Sequence, residues 1–183
     1  MRVIGGIYGG RRLRTAEGLK VRPTSDRLRE ALFNILAPQI EDARFLDICA
    51  GSGAVGIEAL SRGASHAAFI DHSRRACSVI EDNLESLGIA DQTNIINREA
   101  TAALARLIGE SREFDIIFFD PPYASKTYLQ VMKLLGTGPL LVSNGMVIVE
   151  HRAKMPPEAE YGELRVYREV KQGESALAFY ARV

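Results

Sequence analysis

From residue 44 to residue 151 the chain alternates between two periodicities. Apolar runs near 44–48, 66–71, 93–97, 114–119 and 145–151 have the length of buried strands, and stretches near 54–62, 73–87, 100–108 and 125–135 repeat apolar residues at helical spacing. Such alternation predicts parallel βαβ units and hence an α/β fold. After Pro156-Pro157 the pattern changes, and two strand-like runs at 163–170 and 175–182 flank Lys171-Gln172-Gly173-Glu174. They predict an antiparallel C-terminal hairpin that completes a seven-stranded, mostly parallel sheet.

The first forty residues read differently. Residues 1–20 hold short apolar pieces broken by Gly5-Gly6 and Gly9-Gly10, consistent with an irregular β-hairpin. Pro23-Thr24-Ser25-Asp26 then provides a helix start, and Leu28, Ala31, Leu32, Ile35 and Leu36 keep helical spacing until Pro38. The expected organisation is an N-terminal extension over residues 1–40, packed on the same domain that residues 41–183 form.

Composition narrows the class. A chain of 183 residues with 46% hydrophobic content can bury one substantial core. No run reaches the roughly 18 apolar residues of a membrane span, and the first residues lack a signal-peptide pattern, so a cytoplasmic protein is expected. Cys49 and Cys77 make no disulfide framework and suit small core positions. His66, His72 and His151 lack metal-ligand spacing, so no metal is expected.

Candidate chemistry starts at the first predicted strand. Phe45-Leu46-Asp47-Ile48-Cys49-Ala50 runs into Gly51-Ser52-Gly53 and then a helical pattern, and glycines let a backbone pass close to a ligand. About twenty residues on, the second strand ends in Asp71, placed to accept bonds from ribose hydroxyls. Gly51-x-Gly53-x-x-Gly56 with Asp71 also satisfies the dinucleotide fingerprint, which keeps an NAD-dependent oxidoreductase open. Asp47 weighs the other way: its carboxylate would repel a pyrophosphate but suits the cationic amino-acid end of S-adenosylmethionine (AdoMet).

The most informative residues are Asp120-Pro121-Pro122-Tyr123, just past the apolar run 114–119, where α/β sheets place their chemistry. Proline at a helix start is the simpler account of Pro-Pro alone. Yet Asp120 and a carbonyl of the proline turn can accept both hydrogens of an exocyclic amine, while Tyr123 offers a stacking face. With the glycine loop upstream, amine methylation is the better reading.

Charge then suggests the acceptor. Net charge is zero, but residues 1–30 carry eight basic and three acidic residues, among them Arg2, Arg11, Arg12, Arg14, Arg22, Arg27 and Arg29. A basic, arginine-rich end suits phosphate contacts as well as it suits a solvated arm. Beside a base-sized clamp, nucleic acid is the better account, with Arg11, Arg12, Arg22 and Arg27 as substrate contacts and Arg29 a further candidate at the cleft.

The order of Arg22-Pro23-Thr24-Ser25-Asp26-Arg27, Leu46-Asp47-Ile48-Cys49-Ala50-Gly51-Ser52-Gly53, Glu58-Ala59-Leu60-Ser61-Arg62-Gly63-Ala64 and Asp120-Pro121-Pro122-Tyr123 resembles the RsmD-type 16S ribosomal RNA guanine-N2 methyltransferases. That resemblance implies a class I, Rossmann-like AdoMet-dependent methyltransferase fold. It implies methyl transfer to the exocyclic N2 of one guanine in small-subunit rRNA; free RNA and an assembling subunit both stay open as the substrate form, and a monomer is the default expectation. Carried over by position, Asp47, Gly51, Ser52 and Gly53 form the cofactor loop, Asp71 meets the ribose, and Glu99 and Ala100 border the adenine. Asp120, Pro121 and Tyr123 form the catalytic clamp and Pro122 contacts substrate. Cys49 stands where the family carries a larger residue, and Asp71-His72-Ser73 replaces a glutamate-containing segment. A DNA adenine-N6 methyltransferase could use the same clamp, and a non-catalytic RNA-binding module could keep the same fold.

Overall fold

The computed structural model of the protein describes residues 1–15, 26–121 and 127–183. Helix α1 (Asp26–Leu36) precedes four strand–helix pairs: β1 (Arg44–Ile48) and α2 (Ala54–Ser61), β2 (His66–Asp71) and α3 (Arg74–Leu87), β3 (Thr93–Asn97) and α4 (Ala100–Gly109), β4 (Phe114–Phe119) and α5 (Tyr128–Thr137). Strands β5 (Leu141–Arg152), β6 (Glu160–Tyr161), β7 (Leu164–Gln172) and β8 (Ser175–Arg182) follow.

All eight strands join one sheet in the order β3-β2-β1-β4-β5-β8-β7-β6. The first five pair in parallel, and β8 lies antiparallel between β5 and β7. The expected count was seven. The additional strand is β6, whose two residues pair with Leu164 and Arg165 of β7 and are too few to show a period.

Parallel strands buried on both faces must be apolar at nearly every position, and the two layers divide accordingly. Phe45, Phe69, Phe118, Ile148 and Phe179 pack with Leu28, Leu32 and Phe33 of α1, Ile57 of α2 and Ile80 of α3. Leu46, Ile70, Ile117, Val147 and Tyr180 pack with Ala103, Leu104 and Leu107 of α4 and Val131 and Leu135 of α5. Strand order reverses between β1 and β4, so the crevice expected in such sheets lies at their carboxyl ends.

The N-terminal hairpin is reduced to a turn closed by one antiparallel bridge between Arg2 and Arg12. Its outer side is seated on the last turn of α2. Ile4 and Gly5 donate their N–H groups to the Glu58 carboxylate at 2.7 and 2.8 Å, and Ile7 donates to the Ser61 carbonyl at 2.8 Å. Gly6 adopts φ +75°, and a Cβ there would lie 1.8 Å from the Ser61 oxygen, so no other residue fits that seat.

Glu58 is fully buried, and it also accepts from Arg62 Nε at 2.8 Å and faces Arg29 Nε at 3.8 Å. Arg29 corrects an expectation. It is completely buried, donates to the Arg2 carbonyl at 2.6 Å and to Asp26 at 3.0 Å, and so holds the N-terminal turn instead of bordering the cleft.

Candidate active site

Backbone geometry makes the glycine loop. Directly after β1, Cys49 (φ +64°), Gly51 (φ +59°) and Gly53 (φ +75°) all take left-handed conformations, turning the chain back before α2 begins. Gly56 is required for a different reason: a Cβ there would come within 2.3 Å of the Phe69 ring on β2. The third glycine therefore brings α2 close to the sheet, as in nucleotide-binding folds of this type.

Two carboxylates brace this loop. Asp71 accepts the Gly51 N–H at 2.9 Å and the Ser73 N–H at 2.8 Å, and Asp47 accepts the Gly56 N–H at 3.0 Å. Sequence reading assigned both only to the cofactor, whereas each also fixes loop backbone. A carboxylate has about four lone-pair positions, so Asp71 keeps acceptor capacity for a hydroxyl.

Burial pushes the Asp47 carboxyl up to about 7; the Gly56 bond opposes this and the Asp71 charge adds to it. A cationic ammonium group beside Asp47 would favour the ionised form and lower that pKa. Binding then releases a proton, so AdoMet affinity should strengthen as pH rises through about 7 and level off above it. Titration calorimetry between pH 6 and pH 8.5 checks this, and an affinity flat across that window removes Asp47 from the ammonium site.

The remaining carboxylates arrive from other strands. Asp120 follows β4, and its N–H donates to the Ile48 carbonyl of β1 at 3.2 Å. Its carboxyl is held well above the ordinary range by burial, then by Glu150 of β5, then by Asp47. Glu99, exposed after β3, is the N-cap residue of α4 without a side-chain cap bond, and Ala100 behind it is buried.

Cys49 shows that these groups converge. Burial raises its thiol pKa most, and the charges of Asp71, Asp120, Asp47 and Glu99 each raise it further. The carboxyl edge of the sheet thus collects four acidic side chains around one loop, with the left-handed glycines and the start of α2 beside them. That donor set fits AdoMet: it offers acceptors for an ammonium group and for ribose hydroxyls.

Arg11 and Arg12 on the N-terminal turn and Arg27 on α1 are all exposed, and Arg11 donates to the Ser86 carbonyl near the end of α3 at 3.0 Å. Arg22, Pro122 and Tyr123 lie outside the described residues, whereas Pro121 is described and buried.

Three buried polar positions escaped sequence reading. Glu58 stands in a largely apolar helix, Glu150 follows the apolar run Met146–Val149 within β5, and both are buried. A lone acid in an apolar run was the available signal. Asn83, also buried, donates to the Ser52 carbonyl at 3.0 Å and the Arg14 carbonyl at 3.1 Å and accepts the Arg14 N–H at 2.7 Å. On an amphipathic helix an asparagine carries no such signal.

Comparison with known proteins gives the family and the fold. The family model described as Conserved hypothetical protein 95 matches residues 1–181. Ribosomal RNA small subunit methyltransferase D of Escherichia coli (strain K12) is 36% identical over 191 residues, covering 96% of this chain and 93% of that protein. The solved structure of the Escherichia coli "Putative methyltransferase yhhF" superposes with a TM-score of 0.87 at 33% identity, covering 100% of this chain and 97% of that one. A ribosomal protein L11 methylase from Lactobacillus delbrueckii subsp. bulgaricus shares the fold alone, with a TM-score of 0.64 at 18% identity over 83% of this chain and 76% of that one. The chain therefore belongs to the Conserved hypothetical protein 95 family, that of the RsmD-type methyltransferases, and has their class I methyltransferase fold.

Proposed function

We propose that the protein transfers a methyl group from AdoMet to the exocyclic N2 amine of one guanine in 16S ribosomal RNA, within an assembling small subunit in the cytoplasm. The observation that carries this reading is the gathering of Asp47, Asp71, Glu99 and Asp120 around Cys49 at the carboxyl edge of the sheet. Membership of a family with a relative named for small-subunit rRNA methylation supports the substrate.

AdoMet supplies an electrophilic methyl group on its sulfonium. The chain's own residues do the rest. Asp47 takes the ammonium end, Asp71 the ribose, the Gly51-Ser52-Gly53 backbone lies against the methionine portion, and Glu99 with Ala100 borders the adenine. On the acceptor side, Asp120 and the Pro121 carbonyl accept the two amine hydrogens, Pro122 contacts the substrate and Tyr123 stacks on the base. Holding both N–H bonds aims the nitrogen lone pair and stabilises the charge that develops on it. Asp120 then takes the surplus proton, a task suited to a carboxylate with a raised pKa. Because the amine lies on the pairing edge, the base must be unpaired or flipped. Arg11, Arg12, Arg22 and Arg27 hold backbone phosphates.

Incubation with labelled AdoMet and stripped 16S rRNA, small subunits, DNA or protein, followed by nucleoside analysis, tests the assignment. Label in N2-methylguanosine is expected. Label on adenine N6 of DNA, or on protein, overturns it.

A further inference from the structure

The C-terminal hairpin carries an aromatic ring that its own strand turns outward. Partners directly opposite in an antiparallel pair share a face of the sheet. On β7, Arg165 pairs with Ala181, the partner of Met146 on β5, and Arg168 pairs with Phe179, the partner of Ile148. Met146, Ile148 and Phe179 belong to the core under α1, so both arginines lie on the α1 side. Register slips between Val166 and Arg168, which leaves Tyr167 as the extra residue of a bulge. Bulges re-aim side chains and gather at sheet edges and beside active sites.

This bulge delivers the Tyr167 ring to the α1 side as well. The ring lies 6.3 Å from that of Phe179 at 60°, and its hydroxyl reaches Met146 Sδ at 3.8 Å. Half of it stays open: Tyr167 is 54% exposed, and Arg168 is exposed beside it. Burial raises the Tyr167 hydroxyl pKa and the Arg168 charge opposes that rise, so ring and guanidinium are neighbours. Charge is sorted between the faces. Glu169, the one acid of β7, pairs with Ala178 of the opposite core layer, while Glu160 of β6 on the α1 side is held by Arg165 at 2.9 Å.

The clamp opens on this same side, since Phe118, two positions before Asp120, packs in the core under α1. β7 runs parallel to β4 three strands away. At strand spacings of about 4.8 Å and a rise of about 3.3 Å per residue, Tyr167 is roughly 17 Å from Asp120. That is about five nucleotides of stacked strand. The basic N-terminal turn sits on α2 and α3, over the β1–β3 half of the sheet, so the clamp lies between that turn and Tyr167. An open ring beside an arginine on a sheet face offers single-stranded RNA a stacking surface and a phosphate contact. One ring is too small a patch for a stable protein partner, whose interface takes about 800 Å² a side.

We propose that Tyr167 and Arg168 form a second docking point for the substrate RNA, Tyr167 stacking an unpaired base a few nucleotides from the target guanine and Arg168 holding a neighbouring phosphate. The assignment deepens the rRNA reading above and rests on it. Neither residue touches the reacting atoms. Their contribution is to grip the strand on the side of the clamp that the N-terminal turn does not reach.

Binding is read with a short oligouridine RNA, which offers bases and phosphates but no acceptor guanine. Tyr167→Ala should weaken it about 5- to 100-fold, and Tyr167→Phe, which keeps the stacking face, by less than about twofold. Arg168→Gln should lower the slope of log affinity against log salt by about 0.7, the loss of one phosphate contact on a single strand. With 16S rRNA or small subunits as acceptor, Tyr167→Ala should raise KM for RNA with kcat much less affected, and AdoMet affinity should stay within about twofold.

Oligouridine affinity unchanged in Tyr167→Ala overturns the proposal, and so does an equal loss in Tyr167→Phe, which would make the hydroxyl the contact. Self-association of the wild type that Tyr167→Ala abolishes, with RNA affinity intact, overturns it in favour of a protein interface. Where Tyr167→Ala does not fold, Arg168→Gln decides: a reduced salt slope supports the proposal and an unchanged one overturns it. Failure of the guanine-N2 reading looks different, since the wild-type enzyme would then put no label on guanine N2 in any acceptor, and the oligouridine comparison would still be read on its own.

Discussion

Asp120→Ala is expected to lower methyl transfer by about 10²–10³-fold or more while AdoMet still binds with nearly wild-type affinity. Asp120 is the one acid of the edge assigned to the acceptor amine: it follows β4, and Asp47 and Asp71 already hold the glycine loop through Gly56 and Gly51. Removing its carboxylate takes away an acceptor that orients the nitrogen and a charge that compensates its developing positive charge. Neither task arises in cofactor binding. Single-turnover rates with saturating cofactor measure the first effect and calorimetric titration the second. A parallel collapse of AdoMet affinity would place Asp120 in the donor half of the site. Asp120→Asn keeps the shape and one acceptor but cannot take the proton, so it should remain strongly impaired.

The largest effect on stability is expected at Glu58. Its carboxylate receives Ile4 N–H, Gly5 N–H and Arg62 Nε, and it faces the buried Arg29 guanidinium. Glu58→Ala leaves two backbone donors without their acceptor and a buried arginine without its counter-charge. Truncating one partner of a buried pair costs about 3–5 kcal/mol, and urea unfolding with an unchanged m-value would report it. The N-terminal turn should loosen as well, so trypsin should cut at Arg11 and Arg12 sooner than in the wild type. A loss below about 1 kcal/mol, the scale of exposed ion pairs, would mean that the turn is held by Ser61 and the core alone. Glu58→Gln retains one acceptor oxygen and should lose less.

The parallel half of the fold was readable because its inner strands are apolar on both faces and α3, α4 and α5 on one. Helix α1 was readable from Leu28, Leu32 and Leu36, all now buried against the sheet. β6 was not, since two residues cannot express an alternation. At the site, Asp47, Gly51, Gly53, Asp71 and Asp120 were legible because each sits where a strand ends and a loop turns. Arg29 was misread, because sequence shows an arginine's charge but not the carboxylate it will be buried with. Glu58 and Glu150 were passed over for the same reason: their partners come from 54 residues away in one case and from a neighbouring strand in the other. Long-range partnership leaves no local pattern.

Asn83 joins two parts that substrate chemistry keeps separate. Its amide grips Arg14 by both N–H and carbonyl, as a strand neighbour would, and the remaining hydrogen holds the Ser52 carbonyl of the glycine loop. Basic arm and glycine loop are therefore suspended from one side chain. Drift in the arm's sequence near Arg14 is constrained by the glycine loop, and a graft that exchanged the arm for another segment would have to bring its own anchor for position 52. Editing the arm's exposed arginines leaves that anchor in place, whereas replacing the arm removes it.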